Sequence, residues 1–190
     1  MKNKYNNHLK MPLSEKALEF FIQHPSREVY LREYGRMLKI SPNGAQRFLN
    51  RFVAQKYLVE QRRGHLRYFK ANLENMVFRQ AKILHSLREL QKVGMIELLK
   101  ERGVSHAVLF GSVAQGTDDE KSDIDLVIIA SSKEDVRKAL TGIQKILSRE
   151  LSAQIFTWGE WREQEKNNKA FYRDVIIKGI SLLEEKPVIS

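Results

Sequence analysis

The feature that most constrains the fold is a short polar motif between two apolar segments in the second half of the chain. Residues 104–110 predict a buried strand that runs directly into Gly111 and Ser112, and residues 123–129 predict a second strand. Further patterns predict helices at 133–149 and 160–178, a third strand at about 152–158 and a short last strand at 179–183. Residues 103–190 are therefore expected to form an α+β domain, a small mixed sheet flanked by helices.

The motif contains two carboxylates with a spacing that suits metal binding. Asp123 and Asp125 are two residues apart on the predicted strand, so their side chains point to the same face. Their mutual repulsion is relieved by a shared divalent cation, and Mg²⁺ prefers such oxygen ligands. Gly111 allows close approach of the backbone to a ligand, and Ser112 stands at a predicted helix start that favours phosphate. The motif predicts a site for a triphosphate and Mg²⁺, with a two-metal arrangement possible.

This pattern of Gly-Ser, ten residues and then Asp-x-Asp resembles the DNA polymerase beta-type nucleotidyltransferase superfamily, especially its minimal branch, over residues 100–185. The resemblance implies binding of a nucleoside triphosphate and Mg²⁺. It implies that Asp123 and Asp125 are the catalytic residues and metal ligands, and that Gly111 and Ser112 contact the phosphates. Minimal relatives can modify a partner toxin of the HEPN type, so the resemblance also implies a toxin–antitoxin role.

Two departures from that family bear on catalysis. Gln115 stands where an arginine is common, and the third carboxylate of the family is absent from the next strand. Gln154 takes its place in the preferred alignment, with Ser152 as the alternative. A neutral side chain cannot accept the proton of an attacking hydroxyl. Either a nearby acid substitutes (Glu150 and Glu160 are the nearest), or transfer is slow, or the domain binds nucleotide without turnover.

Positive charge is concentrated in the first third of the chain. Residues 1–72 contain fifteen Lys and Arg against five Asp and Glu, whereas residues 73–190 contain eighteen of each. The whole net charge of +10 therefore lies in the N-terminal part. Such a block predicts a polyanionic partner.

The same N-terminal part predicts three helices followed by a hairpin. The helices are expected at 13–23, 30–39 and 42–55, and the hairpin strands at 57–60 and 66–69. Ser41 is expected to cap the third helix, with Pro42 in its first turn. Residues 12–72 resemble the winged helix-turn-helix family in this order of elements. That resemblance implies that residues 42–55 enter the major groove of double-stranded DNA.

Polar side chains on the third helix and at the hairpin tip suit contacts with bases and phosphates. The candidate DNA-binding residues are Asn43, Gln46, Arg47, Asn50, Arg51, Arg62, Arg63 and His65. Arg67 and Lys70 lie near the tip and could also contact phosphates. The alternative for the helix is a solvated polar face.

Residues 73–102 predict a helical connector between the two domains. Its apolar stripe comprises Met76, Val77, Ile83, Leu84, Leu87 and Leu90. Such a stripe favours packing within the chain, and a homodimer interface is the second interpretation.

Several classes of function are excluded or disfavoured. The absence of cysteine excludes disulfides, Cys-ligated zinc and thiol catalysis. No apolar run reaches the roughly eighteen residues of a membrane span, and the N-terminus lacks an apolar signal core, so a cytoplasmic location is expected. Two hypotheses remain: a DNA-binding protein with an active nucleotidyltransferase domain, or a DNA-binding transcriptional regulator whose degenerate domain senses nucleotide or dimerises.

Overall fold

The computed structural model describes residues 13–189, with side chains from residue 16 onward. The chain divides into two compact units between Asn75 and Met76. Each unit contains one small sheet and several helices, so the α+β class is confirmed. The ends of the predicted outer domains, at residues 12 and 190, lie outside the described residues.

The first unit contains three helices and a three-stranded antiparallel sheet in the order β1-β3-β2. Its elements are α1 (Leu13–Gln23), β1 (Val29–Tyr30), α2 (Leu31–Leu38), α3 (Pro42–Ala54), β2 (Leu58–Arg63) and β3 (Leu66–Ala71). Residue 30 was expected in the second helix, but it pairs with β3 instead. A strand of two residues is too short to show a period of two in the sequence.

The start of α3 has the predicted cap. The Ser41 hydroxyl accepts a hydrogen bond from the Gly44 backbone N–H at 3.1 Å, and Pro42 occupies the first helical position. This arrangement satisfies a free N–H group of the first turn. The predicted boundary of α3 is therefore confirmed at its N-terminal end.

The core of the first unit joins all three helices to the sheet. Phe21, Leu49 and Phe69 are fully buried, from α1, α3 and β3 respectively. Tyr34 on α2 is also buried, and its hydroxyl donates to the Ala17 carbonyl at 2.6 Å. The phenol is thus satisfied inside an apolar core, as a buried hydroxyl must be.

The second unit contains a four-stranded mixed sheet in the order β6-β5-β4-β7. Its elements are α4 (Met76–Lys92), α5 (Met95–Glu101), β4 (His106–Phe110), α6 (Gly111–Gln115), β5 (Ile124–Ile129), α7 (Lys133–Gln144), β6 (Leu151–Phe156), α8 (Trp158–Asn167), α9 (Lys169–Lys178) and β7 (Ile180–Ser181). β5 is parallel to β6, and β4 is antiparallel to β5 and to β7.

Both faces of this sheet are covered by helices. Leu126 of β5 packs in one core with Leu99 of α5 and Leu140 of α7. Val127 points to the opposite face and packs with Trp161 of α8, which is fully buried. The alternation of apolar residues along β5 fits a strand buried on both faces.

The predicted connector stripe is divided between two faces of α4. Ile83 and Leu90 are buried, whereas Met76, Val77 and Leu84 are exposed. The buried side packs into the core of the second unit. No helix within residues 13–189 has both the length and the apolar character that a membrane crossing requires.

Candidate functional site

The polar motif lies where β4 ends and β5 begins. Because the two strands are antiparallel neighbours, Phe110 at the end of β4 is paired with Asp125 near the start of β5. Asp123 directly precedes β5. The structure thus brings the glycine-serine bend and the acidic pair to one edge of the sheet.

Gly111 is in direct contact with one of the two acids. Its φ is +72°, and a Cβ atom built there would lie 2.5 Å from the Asp125 Oδ2 atom. The Asp125 carboxylate therefore lies against the backbone of the bend. Only glycine satisfies both the left-handed backbone and this close approach.

Ser112 lies in the first turn of α6, whose start has no side-chain cap among the described residues. The Gln115 amide folds back and donates to the Gly111 carbonyl at 3.3 Å. At the other end of α6, a Cβ on Gly116 would lie 2.5 Å from the Arg79 carbonyl oxygen of α4. The short helix is therefore packed tightly at its end, and the N–H groups of its first turn are not used by a capping side chain.

The electrostatics of Asp125 suit a bound cation. Partial burial raises the pKa of the Asp125 carboxyl, and the negative charge of Asp123 raises it further. The Ser152 hydroxyl donates a hydrogen bond to the Asp125 carboxylate, and this bond lowers the pKa of Asp125. A cation placed between the two acids would relieve the repulsion.

The register of β5 and β6 shows where Ser152 and Gln154, the two candidates for the position of the family's third carboxylate, lie relative to the acidic pair. Asp125 is paired with Ser152, and Val127 with Gln154. Paired residues of neighbouring strands point to the same face. Ser152 is therefore the neighbour of Asp125, and Gln154 lies two residues further along the same face of β6.

The comparisons with known proteins agree with this arrangement. Residues 94–187 match the family described as "Polymerase beta, Nucleotidyltransferase". These residues form a polymerase beta-type nucleotidyltransferase domain. The matched segment includes the bend, the acidic pair and all four strands of the second sheet.

Other comparisons add little to this assignment. No curated protein matched the chain. The similar solved structures include a crystal structure of a mutant of the toxin–antitoxin pair MntA-HpeT. Its sequence identity is 17%, the match covers 49% of this chain and 73% of that chain, and the TM-score is 0.36.

Beside the bend, Asp123 and Asp125 offer oxygen ligands suited to Mg²⁺. Among residues 13–189, no cluster of three or more acidic or histidine side chains could hold a metal ion. Glu160 pairs with Lys133 and caps α8. It follows the C-terminal end of β6, whereas Ser152 lies near the N-terminal end of that strand. Glu150 directly precedes β6, and its carbonyl accepts from the Ile124 N–H at 2.8 Å. The residues present therefore fit one ion held by the acidic pair.

A buried ion-pair cluster fixes the loop between the bend and the acidic pair. Asp118 is 3% exposed, and its carboxylate lies 3.2 Å from the Lys82 Nζ atom and 2.8 Å from Arg149 Nη1. The Arg149 guanidinium also donates from Nε to the Ser122 carbonyl at 2.8 Å. Burial lowers the pKa of Lys82, and the Asp118 charge partly offsets this effect. The cluster ties α4 and Arg149, two residues before β6, to the loop that ends at Asp123.

This cluster was not predicted from the sequence. A signal was present on α4. Phe78, Lys82 and Leu90 are all buried, and Lys82 is four residues from Phe78 and eight from Leu90. A lysine at an apolar position of a helical stripe indicates a buried ionic partner.

In the first unit, the eight candidate DNA-binding residues are all exposed. Five lie on α3 and three on the hairpin: Asn43, Gln46, Arg47, Asn50, Arg51, Arg62, Arg63 and His65. The two groups are linked, because Arg67 of β3 donates to the Asn50 side chain at 2.8 Å. Helix α3 and the hairpin therefore present connected polar surfaces.

All three hairpin arginines have partners within the unit. Arg62 lies 3.6 Å from Glu60, and the contacts of the other two are shorter. Arg67 forms two hydrogen bonds to the Glu60 carboxylate and is only partly exposed, so its main contact is internal. Arg63 lies 2.8 Å from Glu28, and its guanidinium carbon is 4.9 Å from the Tyr68 ring centroid. Of the two, Arg63 is the more exposed and the better placed to reach a phosphate.

Proposed function

We propose that the nucleotidyltransferase domain binds a nucleoside triphosphate together with Mg²⁺ at the edge where β4 ends. Asp123 and Asp125 hold the ion, and Gly111 and Ser112 face the phosphates. The main support for this proposal is the contact between Asp125 and the Gly111 backbone. It places the proposed metal ligands directly beside the proposed phosphate-binding bend. The raised pKa of Asp125 supports it as well.

Each residue of the site has a stated task. Bound Mg²⁺ would neutralise phosphate charge and polarise a phosphoryl oxygen. The Ser152 hydroxyl orients the Asp125 carboxylate through its hydrogen bond. The N–H groups at the start of α6 donate toward phosphate oxygens. Gly111 leaves room for the phosphates by having no side chain.

We further propose that transfer of a nucleoside monophosphate to a hydroxyl acceptor is slow in this protein. The attacking hydroxyl must lose a proton, and a carboxylate beside the acidic pair would accept it. Ser152, the β6 residue paired with Asp125, is not basic, and neither is Gln154. The reaction then depends on Glu150 or on solvent as the proton acceptor.

Titration calorimetry with Mg²⁺ and ATP, or another triphosphate, tests the binding proposal. Asp125→Asn should abolish the heat of binding, because the ion loses a charged ligand. Asp119→Asn is a matched control, since Asp119 is an exposed acid of the same loop whose side chain accepts from Ser122 and Lys121. An asparagine can still accept both bonds. The proposal is refuted if wild-type protein gives no heat with any triphosphate.

A second candidate function is a regulator whose nucleotidyltransferase fold binds nucleotide without turnover. The serine at position 152 favours it. A radiolabelled transfer assay separates the two candidates. Transfer by wild-type protein that disappears in Asp123→Asn supports the enzyme. Absence of transfer from wild-type protein, with activity appearing in Ser152→Asp, supports the regulator.

We propose that the first unit is a winged helix-turn-helix domain that binds double-stranded DNA. Three observations support it: the N-terminal charge excess, the order of helices and hairpin, and the exposure of the candidate residues. In this proposal α3 enters the major groove and the hairpin tip approaches the backbone.

Fluorescence anisotropy with a labelled mixed-sequence duplex tests DNA binding. Replacing Arg47, Arg51 and Arg62 by alanine should strongly reduce the affinity for DNA, and the affinity should then depend less steeply on salt concentration. Glu163→Gln, a substitution at an exposed position in the other unit, should change neither the affinity nor its salt dependence. Binding that is indifferent to the three arginines would overturn the proposal.

Three expectations from the sequence stay predictions. These are the HEPN-type partner protein, the homodimer and the cytoplasmic location. Light scattering at several protein concentrations would test the homodimer. The exposed side of α4, with Met76, Val77 and Leu84, is the face to change if a dimer forms.

A further inference from the structure

A basic groove runs over the first unit between α2, the start of α3 and the hairpin tip. Its cavity volume is about 940 Å³. The lining contains four Arg and Lys residues and no Asp or Glu. The four cations are Arg32, Arg36, Lys39 and Arg67. Three of them lie on or just after α2, a helix that none of the candidate DNA-binding residues occupies.

The three cations of α2 are available to a ligand. Arg32, Arg36 and Lys39 are exposed, and none has an acidic partner within the described residues. Arg36 makes one neutral contact, donating to the Tyr30 hydroxyl at 3.0 Å. The acid of α2, Glu33, is paired with Arg27 outside the groove. Like charges on one side of a helix repel, so a bound polyanion would relieve this repulsion.

Lys39 stands at a position that favours glycine. It follows α2 with φ 54° and ψ 43°, in the left-handed region. A non-glycine side chain is strained there, and glycine is the common residue just past a helix end. Lys56, after α3, also has a positive φ, of 60°. Within residues 13–189 these two lysines are the non-glycine residues with a positive φ, and only Lys39 lines the groove.

We propose that this groove seats the sugar–phosphate backbone of duplex DNA on Arg32, Arg36 and Lys39. The inference rests on the proposed DNA-binding function and extends the contact surface beyond α3 and the hairpin. The groove is continuous with the α3 surface, because Gln46 is both a candidate base contact and a lining residue. Its volume is many times that of a water molecule or a small anion. Leu31 and Ile40 in the lining offer apolar contact to sugars.

The two left-handed lysines provide a matched pair of variants. Lys39→Gly and Lys56→Gly each remove one positive charge and relieve one strained backbone position. The Lys56 carbonyl accepts from the Asn72 side chain at 2.8 Å, at the end of the hairpin opposite to its tip. The two variants therefore remove the same charge and relieve the same kind of backbone strain, but only Lys39→Gly does so in the groove.

Anisotropy titrations with a labelled mixed-sequence duplex, at several salt concentrations, measure the difference. We expect Lys39→Gly to weaken binding several-fold and to reduce the slope of log K against log salt by about 0.9, the value for one lost phosphate contact. The loss should be similar for a second duplex of different sequence, since the backbone is the same. Lys56→Gly should keep the wild-type slope. Neither variant should melt below wild-type protein, because glycine suits both positions.

The outcomes distinguish the groove from DNA binding itself. Equal slopes for the two lysine variants overturn the groove proposal, and sensitivity to Arg47→Ala in the same assay leaves the DNA-binding proposal standing. A combined Arg32→Gln and Arg36→Gln variant provides a second test, and an unchanged slope there also overturns the groove. If wild-type protein binds no duplex, both proposals fall together.

Discussion

At Gly111, a left-handed backbone and a close contact with Asp125 impose two separate requirements on one residue. Glycine meets the backbone requirement at any left-handed position, whereas the requirement for close contact is specific to this site. Gly103 has a similar φ of +62°, but a Cβ built there would meet nothing within 4 Å. Comparing the two glycines therefore separates backbone strain from the function of the bend.

Gly111→Ala and Gly103→Ala should each cost about 1 to 2 kcal/mol of stability from the left-handed backbone. Only Gly111→Ala should also displace the Asp125 carboxylate and abolish the heat of Mg²⁺–triphosphate binding. Urea denaturation gives the stability and calorimetry gives the binding. Retained binding in Gly111→Ala would show that the bend is not part of the site.

Single residues were also where the sequence was most informative. Ser41 and Pro42 predicted the start of α3, because capping depends on neighbours within three residues. The spacing of Gly111 from Asp125 predicted that strand, bend and strand would come together. These patterns are local or are held together by one antiparallel pair of strands.

At the scale of elements, the loop that precedes β5 is held by α4 through buried charges. Lys82 and Asp118 have side-chain exposures of 3% and 4%, so removing Asp118 deprives the buried Lys82 cation of this anion. An unpaired buried charge is strongly destabilising. The cluster therefore couples the stability of the second unit to the geometry of the acidic pair.

Asp118→Asn should lower the free energy of unfolding by about 3 to 5 kcal/mol, because Lys82 and Arg149 lose their common anion. Adding Lys82→Met should recover part of this loss, since the buried cation is then removed as well. Urea denaturation of the two single variants and the double variant gives the coupling free energy between Asp118 and Lys82. Additive losses would indicate that the pair does not interact, and the exposed Asp119→Asn should remain close to wild type.

The start of α8 depends on a charged cap. Glu160 accepts from the Thr157 N–H and pairs with Lys133 of α7, and these contacts lower its pKa from 4.5 to about 2. A lowered pKa means that the contribution of Glu160 to stability is present above its ordinary pKa. It is lost as the pH falls toward about 2.

Lys133→Ala should raise the pKa of Glu160 toward its ordinary value, because the lysine is the largest cause of the shift. The loss of the cap's stabilising effect on acidification should then be smaller and should be complete at a higher pH. An NMR titration of the Glu160 carboxyl carbon measures this directly. Lys138→Ala removes the same charge from the same helix, where it pairs with Glu134, and should leave the Glu160 titration unchanged.

Element-level features show where the sequence was insufficient. The strand β1 was missed because it has two residues, and the sequence could not show which residue of β6 is paired with Asp125. That pairing joins segments separated by a helix, so no local pattern encodes it. The partners of Asp118 are likewise distant in the chain.

At the scale of the whole molecule, the excess charge and the acidic site lie in different units. The N-terminal unit carries the positive charge, and the nucleotidyltransferase domain has nearly balanced charge. Each unit has its own sheet and its own core. The two proposed activities should therefore be separable by substitution.

Asp123→Asn should retain duplex binding with an unchanged salt slope while it loses Mg²⁺–triphosphate binding. The combined Arg47→Ala and Arg51→Ala variant should show the opposite result. Anisotropy and calorimetry on the full chain measure the two activities. If triphosphate changes DNA affinity in wild-type protein, DNA must change triphosphate affinity by the same factor. Loss of both activities in either variant would contradict separate sites.

The sheet order of the second unit has a practical consequence for handling the protein. β7 ends one side of the sheet with only two residues, whereas β6 leaves six residues at the other side with no Lys, Arg, Asp, Glu or Pro among them. Such an unprotected border invites self-association in concentrated samples. Gln154→Lys, at an exposed position of that border, should keep concentrated samples monodisperse in light scattering where wild-type protein begins to aggregate.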